Sequence, residues 1–243
     1  REQRMADTDV LSTEIHPAGY AVLTLNRPQA MNALNKALLS ALAVNLSGAW
    51  LWLLWPAVSL GLIKVNYLVL GASGFQKRTD GRLTPAARWL YAPYLAGAWI
   101  NSRLWTRKHP QPDLIVDNVW LGRIPSAKEQ DSFSAIVDLC AELPIHPQGR
   151  AYQSIPVLDL IAPTPAECQQ AAEAIERLCS SGPVLVCCAL GYSRSATAVA
   201  AWLLHSGRAA TVDQALTIIR TARAHVVLHP AHRQALEGLP HAR

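Results

Sequence analysis

Residues 113–243 are predicted to fold as an α/β domain, a central and mostly parallel sheet flanked by helices, preceded by an N-terminal transmembrane or interfacial helical segment. Three observations carry this. After residue 113, short Val-, Ile- and Leu-rich runs alternate with amphipathic stretches, as strands alternate with helices in βα units. From Ala37 to Ile63, twenty-seven residues contain no Asp, Glu, Lys or Arg. Of the net charge of +5, residues 1–36 contribute none, residues 37–112 contribute +7 and residues 113–243 contribute −2. The excess positive charge therefore belongs to the apolar middle third, which points to a membrane surface rather than a nucleic-acid groove. A content of 51% apolar residues excludes a disordered chain. The five cysteines all fall between Cys140 and Cys188, without the spacing of a disulfide framework or a zinc site, and read as reduced thiols. No metal or cofactor is expected, and oligomeric state is not legible.

Four segments follow: 1–42, 43–76, 77–112 and 113–243. In the first, Ala21-Val-Leu-Thr-Leu-Asn-Arg-Pro-Gln-Ala-Met-Asn-Ala-Leu-Asn35 resembles the opening strand and turn of the enoyl-CoA hydratase (crotonase) family. The resemblance stops at Ala43, before any of the groups that family's activity depends on. A fusion or a misjoined reading frame accounts for these residues, and no catalytic function is assigned to them.

A helix needs about 20 mostly apolar residues to cross the hydrocarbon core, and Gly48 to Gly71 meets this, with Trp50, Trp52, Trp55 and Tyr67 as interface anchors. Lys64 costs roughly 2.5–3.5 kcal/mol at mid-bilayer unless it snorkels. The run from Trp89 to Ser102 is fourteen residues, too short to span, and reads as an interfacial helix or one arm of a re-entrant hairpin. Lys77, Arg78, Arg82, Arg88, Arg103, Arg107 and Lys108 crowd the C-terminal side of the span, which by the positive-inside rule places everything after residue 76 in the cytoplasm. The competing readings are a buried pair of core helices and a cleaved signal peptide. The length of the run and its one-sided charge count against the first, and its depth in the chain against the second.

In the last segment, Leu114–Gly122, Ala135–Cys140, Tyr152–Leu158 and Val184–Cys188 read as strands. Thr164–Ser181 reads as a helix, with Cys168, Ala171, Ala172, Ile175, Leu178 and Cys179 on one face and Gly182-Pro183 ending it. Helices are also predicted over Ser195–His205, over Thr211–His225 with Thr211 and Gln214 spaced for a capping box, and after Pro230.

The last strand feeds Cys188-Ala-Leu-Gly-Tyr-Ser-Arg-Ser195, a Cys-x5-Arg-Ser loop. A loop of this length entering a helix N-terminus aims successive N–H groups at one point, and the helix dipole strengthens the resulting anion nest. The amides of Ala189, Leu190, Gly191, Tyr192 and Ser193 would cradle a phosphate, with Gly191 allowing the turn and Tyr192 on the rim. Arg194 supplies a planar fork for two phosphate oxygens. At the floor of the nest Cys188 is placed as a thiolate nucleophile. Ser195 is placed to hydrogen-bond its sulfur. Asp159, which ends the strand and opens the Ala162-Pro-Thr-Pro165 loop, is the candidate acid for the leaving oxygen and then the base for water; its plain alternative is a turn former.

Ile155-Pro-Val-Leu-Asp159, the helix after it, and Val186-Cys-Cys-Ala-Leu-Gly-Tyr-Ser-Arg-Ser-Ala-Thr197 resemble the dual-specificity branch of the protein tyrosine phosphatase superfamily. Val119-Trp-Leu-Gly122 and Val137-Asp-Leu-Cys-Ala-Glu142 fit that family's start, so the resemblance covers residues 113–238. The order of segments is similar to bacterial membrane-anchored members. The resemblance implies a cysteine phosphatase with Cys188 as nucleophile, Arg194 as phosphate ligand, Ser195 as thiolate partner and Asp159 as general acid. It also implies a bacterial inner membrane, with the catalytic domain facing the cytoplasm. The family usually has His before the nucleophile, where this chain has Cys187. A weakened centre is one consequence, a redox partner for Cys188 another, and a small buried hydrophobe is the plainer reading of Cys187.

Three functions are compatible with this pattern: hydrolysis of phosphotyrosine, phosphoserine or phosphothreonine on proteins, hydrolysis of a phospholipid or phosphoinositide, and phosphate binding without turnover. A sulfurtransferase loop is disfavoured by the Arg-Ser ending and by Asp159. His225, His229 and His232 read as solvated surface residues, and Cys140, Cys168 and Cys179 as core.

Overall fold

The computed structural model describes residues 11–15, 21–25 and 48–239. Strands β1 (Leu11–Ile15) and β2 (Ala21–Leu25) form an antiparallel pair with Leu11 opposite Leu25. The rest of the crotonase-like stretch lies outside the described residues.

A continuous helical segment runs from Gly48 to Phe75. Its central part is α1 (Leu54–Val65), preceded by a 3-10 turn and followed by a π turn over Asn66–Leu70 and a second 3-10 turn. Leu51–Phe75, 25 residues, is long and apolar enough to cross a membrane. Its faces differ. Trp52, Val58, Leu68 and Val69 are exposed, whereas Ile63 and Phe75 pack with Leu83, Ala87, Tyr91, Ala141 and Leu158. The buried Asn66 amide donates to the Tyr91 hydroxyl, which donates to the Gly74 carbonyl at 2.9 Å. The second half of this segment therefore lies along the catalytic domain.

The run read as one interfacial helix is broken into α2 (Pro85–Leu90) and α3 (Ala92–Trp105). Pro93 explains the break: it has no N–H to donate, and its ring clashes with the carbonyl four residues back. The ring of Trp55 stacks on Trp89 at 5.3 Å, and the outer faces of the two helices expose Trp89, Ile100, Leu104 and Trp105.

Five strands make the main sheet: β3 (Asp113–Val116), β4 (Val119–Arg123), β5 (Ala135–Cys140), β6 (Ala151–Val157) and β7 (Val184–Cys188), in the order β3-β4-β7-β5-β6. All neighbouring pairs are parallel except β3–β4. The stretch Leu114–Gly122, read as one strand, is instead a hairpin that turns at Asp117, whose φ of 52° is the left-handed conformation such tight turns use. Helices α4 (Pro165–Cys179), α5 (Arg194–His205), α6 (Val212–Ala222) and α7 (Pro230–Glu237) complete the domain. A full capping box at Thr164 and Glu167 starts α4. At α6 the Thr211 hydroxyl caps the Gln214 amide, but the Gln214 side chain accepts from Ala210 rather than Thr211, so the reciprocal half is displaced by one residue. That helix ends at Ala222, three residues before the predicted His225.

Alternation along β7 divides the core. Val184, Val186 and Cys188 face the helical layer with Ile175, Val199, Trp202 and Leu216. Leu185 and Cys187 face the other way, with Ile136, Cys140 and Leu143, and there Leu95 and Ala98 of α3 pack over them. Helix α3 thus covers the second face of the sheet.

Of the basic residues after the apolar segment, Lys77 is not a surface charge. Its side chain is fully buried, 2.6 Å from Asp138, and also donates to the carbonyls of Cys140 and Leu143. Burial pulls its ammonium pKa down, but the Asp138 carboxylate more than offsets this and holds it above the usual lysine range. Lys77 therefore pins the end of the apolar segment to the C-terminal end of β5. Lys77→Met strands the Asp138 carboxylate and is expected to destabilise the full chain by about 3–5 kcal/mol, read by denaturant unfolding in detergent; an unchanged midpoint would remove this anchoring role.

Candidate active site

The loop from Cys188 to Arg194 joins β7 to the N-terminus of α5. Its carbonyls are held from outside. Ala189 accepts from the Ser102 hydroxyl of α3 at 2.6 Å, Leu190 and Gly191 accept from the Arg223 guanidinium, and Tyr192 accepts from the Val227 amide. In a planar trans peptide the carbonyl and the next amide point in opposite directions. The amides of Leu190, Gly191, Tyr192 and Ser193 therefore face the interior of the loop. Of these, the Gly191 amide reaches the Cys188 sulfur at 3.2 Å. Gly191 has φ of 76°, and a Cβ there would come within 2.4 Å of the Gly122 backbone, so no other residue fits.

Cys188 is buried at the floor of this ring, and the Ser195 hydroxyl donates to its sulfur at 3.2 Å. Arg194 is buried beside it. Its Nη1 donates to Glu142 at 2.9 Å and to the Val157 carbonyl at 2.7 Å; its Nη2 donates to Glu142 at 2.8 Å and to Asp159 at 2.9 Å. Glu142 thus holds the far edge of the guanidinium fork and fixes its plane. Burial pushes the Glu142 carboxyl up, but the Arg194 charge and hydrogen bonds prevail and hold it below the usual carboxylate range. Desolvation likewise opposes the Arg194 charge, and Glu142 overrides it.

All of the residues expected to act together are brought together: Cys188, Arg194, Ser195, Asp159 and the loop Ala189–Ser193. Asp159 is the exposed member, with a side chain 44% accessible. A cavity of about 330 Å³ adjoins the loop, lined by Glu142, Asp159, Ala189 and Leu190 on one side and by Leu60, Pro93, Tyr94, Gly97, Ala98, Asn101 and Ser102 on the other. A larger cavity, about 720 Å³, lies around His205, Thr211 and Leu236, away from the loop.

Cys187 sits on the opposite face of β7, fully buried as a free thiol, and burial pushes its pKa up. Its position matches that of a small core hydrophobe. His232 departs from the solvated surface expected of it: it is buried, both ring nitrogens lack partners, and burial lowers its pKa. His225 lies at the loop's edge, its ring 6.4 Å from Tyr192.

Three residues that shape the site carry no assigned role in the sequence reading. Glu142 offered one signal, a second carboxylate two residues beyond the end of the buried strand that carries Asp138. Arg223 near the end of α6 and Ser102 within an apolar helix offered none, because their partners, backbone carbonyls and for Arg223 also the Asp113 carboxylate, are distant in sequence.

Residues 119–238 match the family profile of the dual specificity phosphatase catalytic domain. No curated protein sequence matches the chain. Among solved structures, Tk-PTP in its active form is 28% identical with a TM-score of 0.49, covering 54% of this chain and 97% of its own. Human DUSP28 is 23% identical with a TM-score of 0.47, covering 53% and 91%. PTPMT1 in complex with PI(5)P is 21% identical with a TM-score of 0.46, covering 51% and 90%. With its anion-trapping loop, cysteine floor and matching profile, the segment 119–238 is a dual specificity phosphatase catalytic domain, and the chain that carries it is a phosphatase.

Proposed function

We propose that the chain is a membrane-held, cysteine-dependent phosphatase that hydrolyses phosphomonoesters through a phosphocysteine intermediate. One observation carries the reading: the Cys188 sulfur accepts hydrogen bonds from the Gly191 amide and the Ser195 hydroxyl inside a ring of inward amides closed by Arg194.

In the free site both Nη groups of Arg194 are occupied by Glu142, Val157 and Asp159. An incoming phosphate takes the inward loop amides and displaces Asp159 from Nη2, while Glu142 keeps the guanidinium in place. The Cys188 thiolate then attacks phosphorus as the P–O ester bond breaks, and Asp159, released from Arg194 and protonated from solvent, gives that proton to the departing oxygen. In the second step water attacks the phosphocysteine, Asp159 takes the water's proton, and inorganic phosphate leaves as the thiolate reforms. The Ser195 hydroxyl stabilises that departing sulfur.

Membrane attachment is supported by the apolar Leu51–Phe75 segment and by the exposed Trp52, Leu68, Val69, Trp89 and Trp105. The exposed Arg78, Arg82, Arg88, Arg107 and Lys108 favour a cytoplasmic catalytic domain on a bacterial inner membrane. The chemistry at Cys188 serves a tyrosine, a serine, a threonine or a lipid head group equally, so the pocket wall selects among them.

Two tests follow from this centre. With an aryl phosphate, Cys188→Ser is expected to abolish turnover while keeping phosphate affinity. Asp159→Asn is expected to lower kcat by roughly 10²–10⁴, most for poor leaving groups; equal turnover in wild type and Cys188→Ser would remove the reading. The Glu142 carboxyl, held below its unfolded value, contributes stability that is fully present above the ordinary carboxylate range and is lost as pH falls through the lowered value. Glu142→Gln is therefore expected to be less stable at neutral pH, with a shallower loss of stability on acidification, read by denaturant unfolding at a series of pH values; a slope as steep as that of wild type would contradict this.

A further inference from the structure

We propose that the substrate is a membrane lipid whose head group ends in a single phosphomonoester, taken from the bilayer surface through the cavity between α1, α3 and the catalytic loop. This rests on the phosphatase reading above and adds the substrate class to it.

The argument begins with Leu60. It belongs to the apolar segment, yet it lines the same cavity as Asp159 and Glu142. Ionised carboxylates and a buried guanidinium do not enter hydrocarbon without a cost of several kcal/mol. Leu60 therefore lies at head-group level, and the exposed apolar side of the turns after it lies along the interface rather than across the hydrocarbon core. Beyond Leu60 the segment runs along the catalytic domain to the buried Phe75, with Val65, Leu68, Val69 and Leu70 exposed on its outer side. The mouth of the catalytic cavity is thereby held at head-group level.

Helix α3 supports the same placement. Tyr94, Gly97, Ala98 and Asn101 line the cavity, while Trp99 and Ile100 are exposed; at 100° per residue Trp99 falls on the face opposite the lining residues and Ile100 on the flank. A helix with its side chains is about 10–12 Å across, so the cavity lies one helix width from an apolar, tryptophan-bearing surface suited to a membrane interface. The guanidinium of Arg103 lies 3.9 Å from the centre of the Trp99 ring, within the same helix.

The cavity wall sets the head group. None of its lining residues is Lys or Arg, and it carries Glu142 and Asp159, so a second phosphate would meet two carboxylates. Tyr94, Asn101 and Ser102 instead offer neutral polar groups suited to the hydroxyls of a polyol. Leu60, Pro93, Gly97 and Ala98 form the apolar side along which the linkage to the acyl chains would leave.

The test uses the full chain reconstituted in phosphatidylcholine bilayers. The probes are dioleoyl phosphatidylglycerol phosphate and a dioleoyl phosphatidylinositol monophosphate, the deacylated head group of each, a phosphotyrosine peptide and an aryl phosphate. At least one lipid is expected to exceed its own deacylated head group in kcat/KM by roughly a hundredfold, because binding energy from the remote part of the substrate is spent at the reacting centre. Hydrolysis of aryl phosphate with no preference for either lipid, or a phosphopeptide faster than both lipids, overturns the lipid assignment and leaves the phosphatase reading standing. Absence of aryl phosphate hydrolysis overturns both. In Gly97→Leu the added side chain meets no neighbour within 4 Å at its Cβ and projects toward the groove. The ratio of lipid to aryl phosphate hydrolysis is expected to fall about tenfold, the scale on which a pocket discriminates a few carbons; an unchanged ratio overturns the proposed path.

Discussion

The anion-trapping loop depends on where its carbonyls are held. A stretch of backbone can present several amides to one point only if the matching carbonyls find donors on the other side, since buried and unpaired they would each cost about 1–3 kcal/mol. Here those donors are the Ser102 hydroxyl, the Arg223 guanidinium and the Val227 amide. Arg223 is anchored in turn by Asp113 at 2.6 Å, so an aspartate on the edge strand fixes the geometry of the catalytic ring.

Two buried ion pairs complete the arrangement, and both belong to β5 and the residues after it. Asp138 within the strand receives Lys77, and Glu142 just beyond it receives Arg194. Buried pairs contribute little net stability relative to apolar replacements, but breaking one leaves an uncompensated charge, so each acts as a strong constraint on which segments meet. Asp138 ties the end of the apolar segment to the sheet. Glu142 ties the phosphate-binding arginine to the same strand end. The N-terminal apolar helices and the reacting centre are thus referred to one rigid element.

Much of this was legible in the sequence for local reasons. The Cys188–Ser195 loop, the parallel strands and the helix starting at Thr164 depend on short-range spacing, which a sequence displays directly, whereas of the capping box read at Thr211 and Gln214 only the hydroxyl half forms. Other features did not show because tertiary contacts decide them. Lys77 looked like one of a crowd of juxtamembrane charges, and only the sheet end it enters makes it a buried anchor. Leu114–Gly122 read as one apolar strand, although Asp117 and Asn118 carried a turn signal that its length concealed. Asp159 was recognisable as an acid near the site, but its ion pair with Arg194 needed the fold. His232 looked like surface and proved to be interior, because α7 turns that side toward the core.

The pleat of β7 has a consequence for survival under oxidants. Consecutive strand residues point to opposite sides, so the neighbouring thiols of Cys187 and Cys188 lie in separate compartments of the core. A sulfenic acid formed at Cys188 by peroxide has no partner in Cys187 with which to close a protective disulfide. Adjacency in the chain gives this centre no built-in repair, and its recovery after peroxide exposure depends on reductants that reach the sulfur through the phosphate pocket.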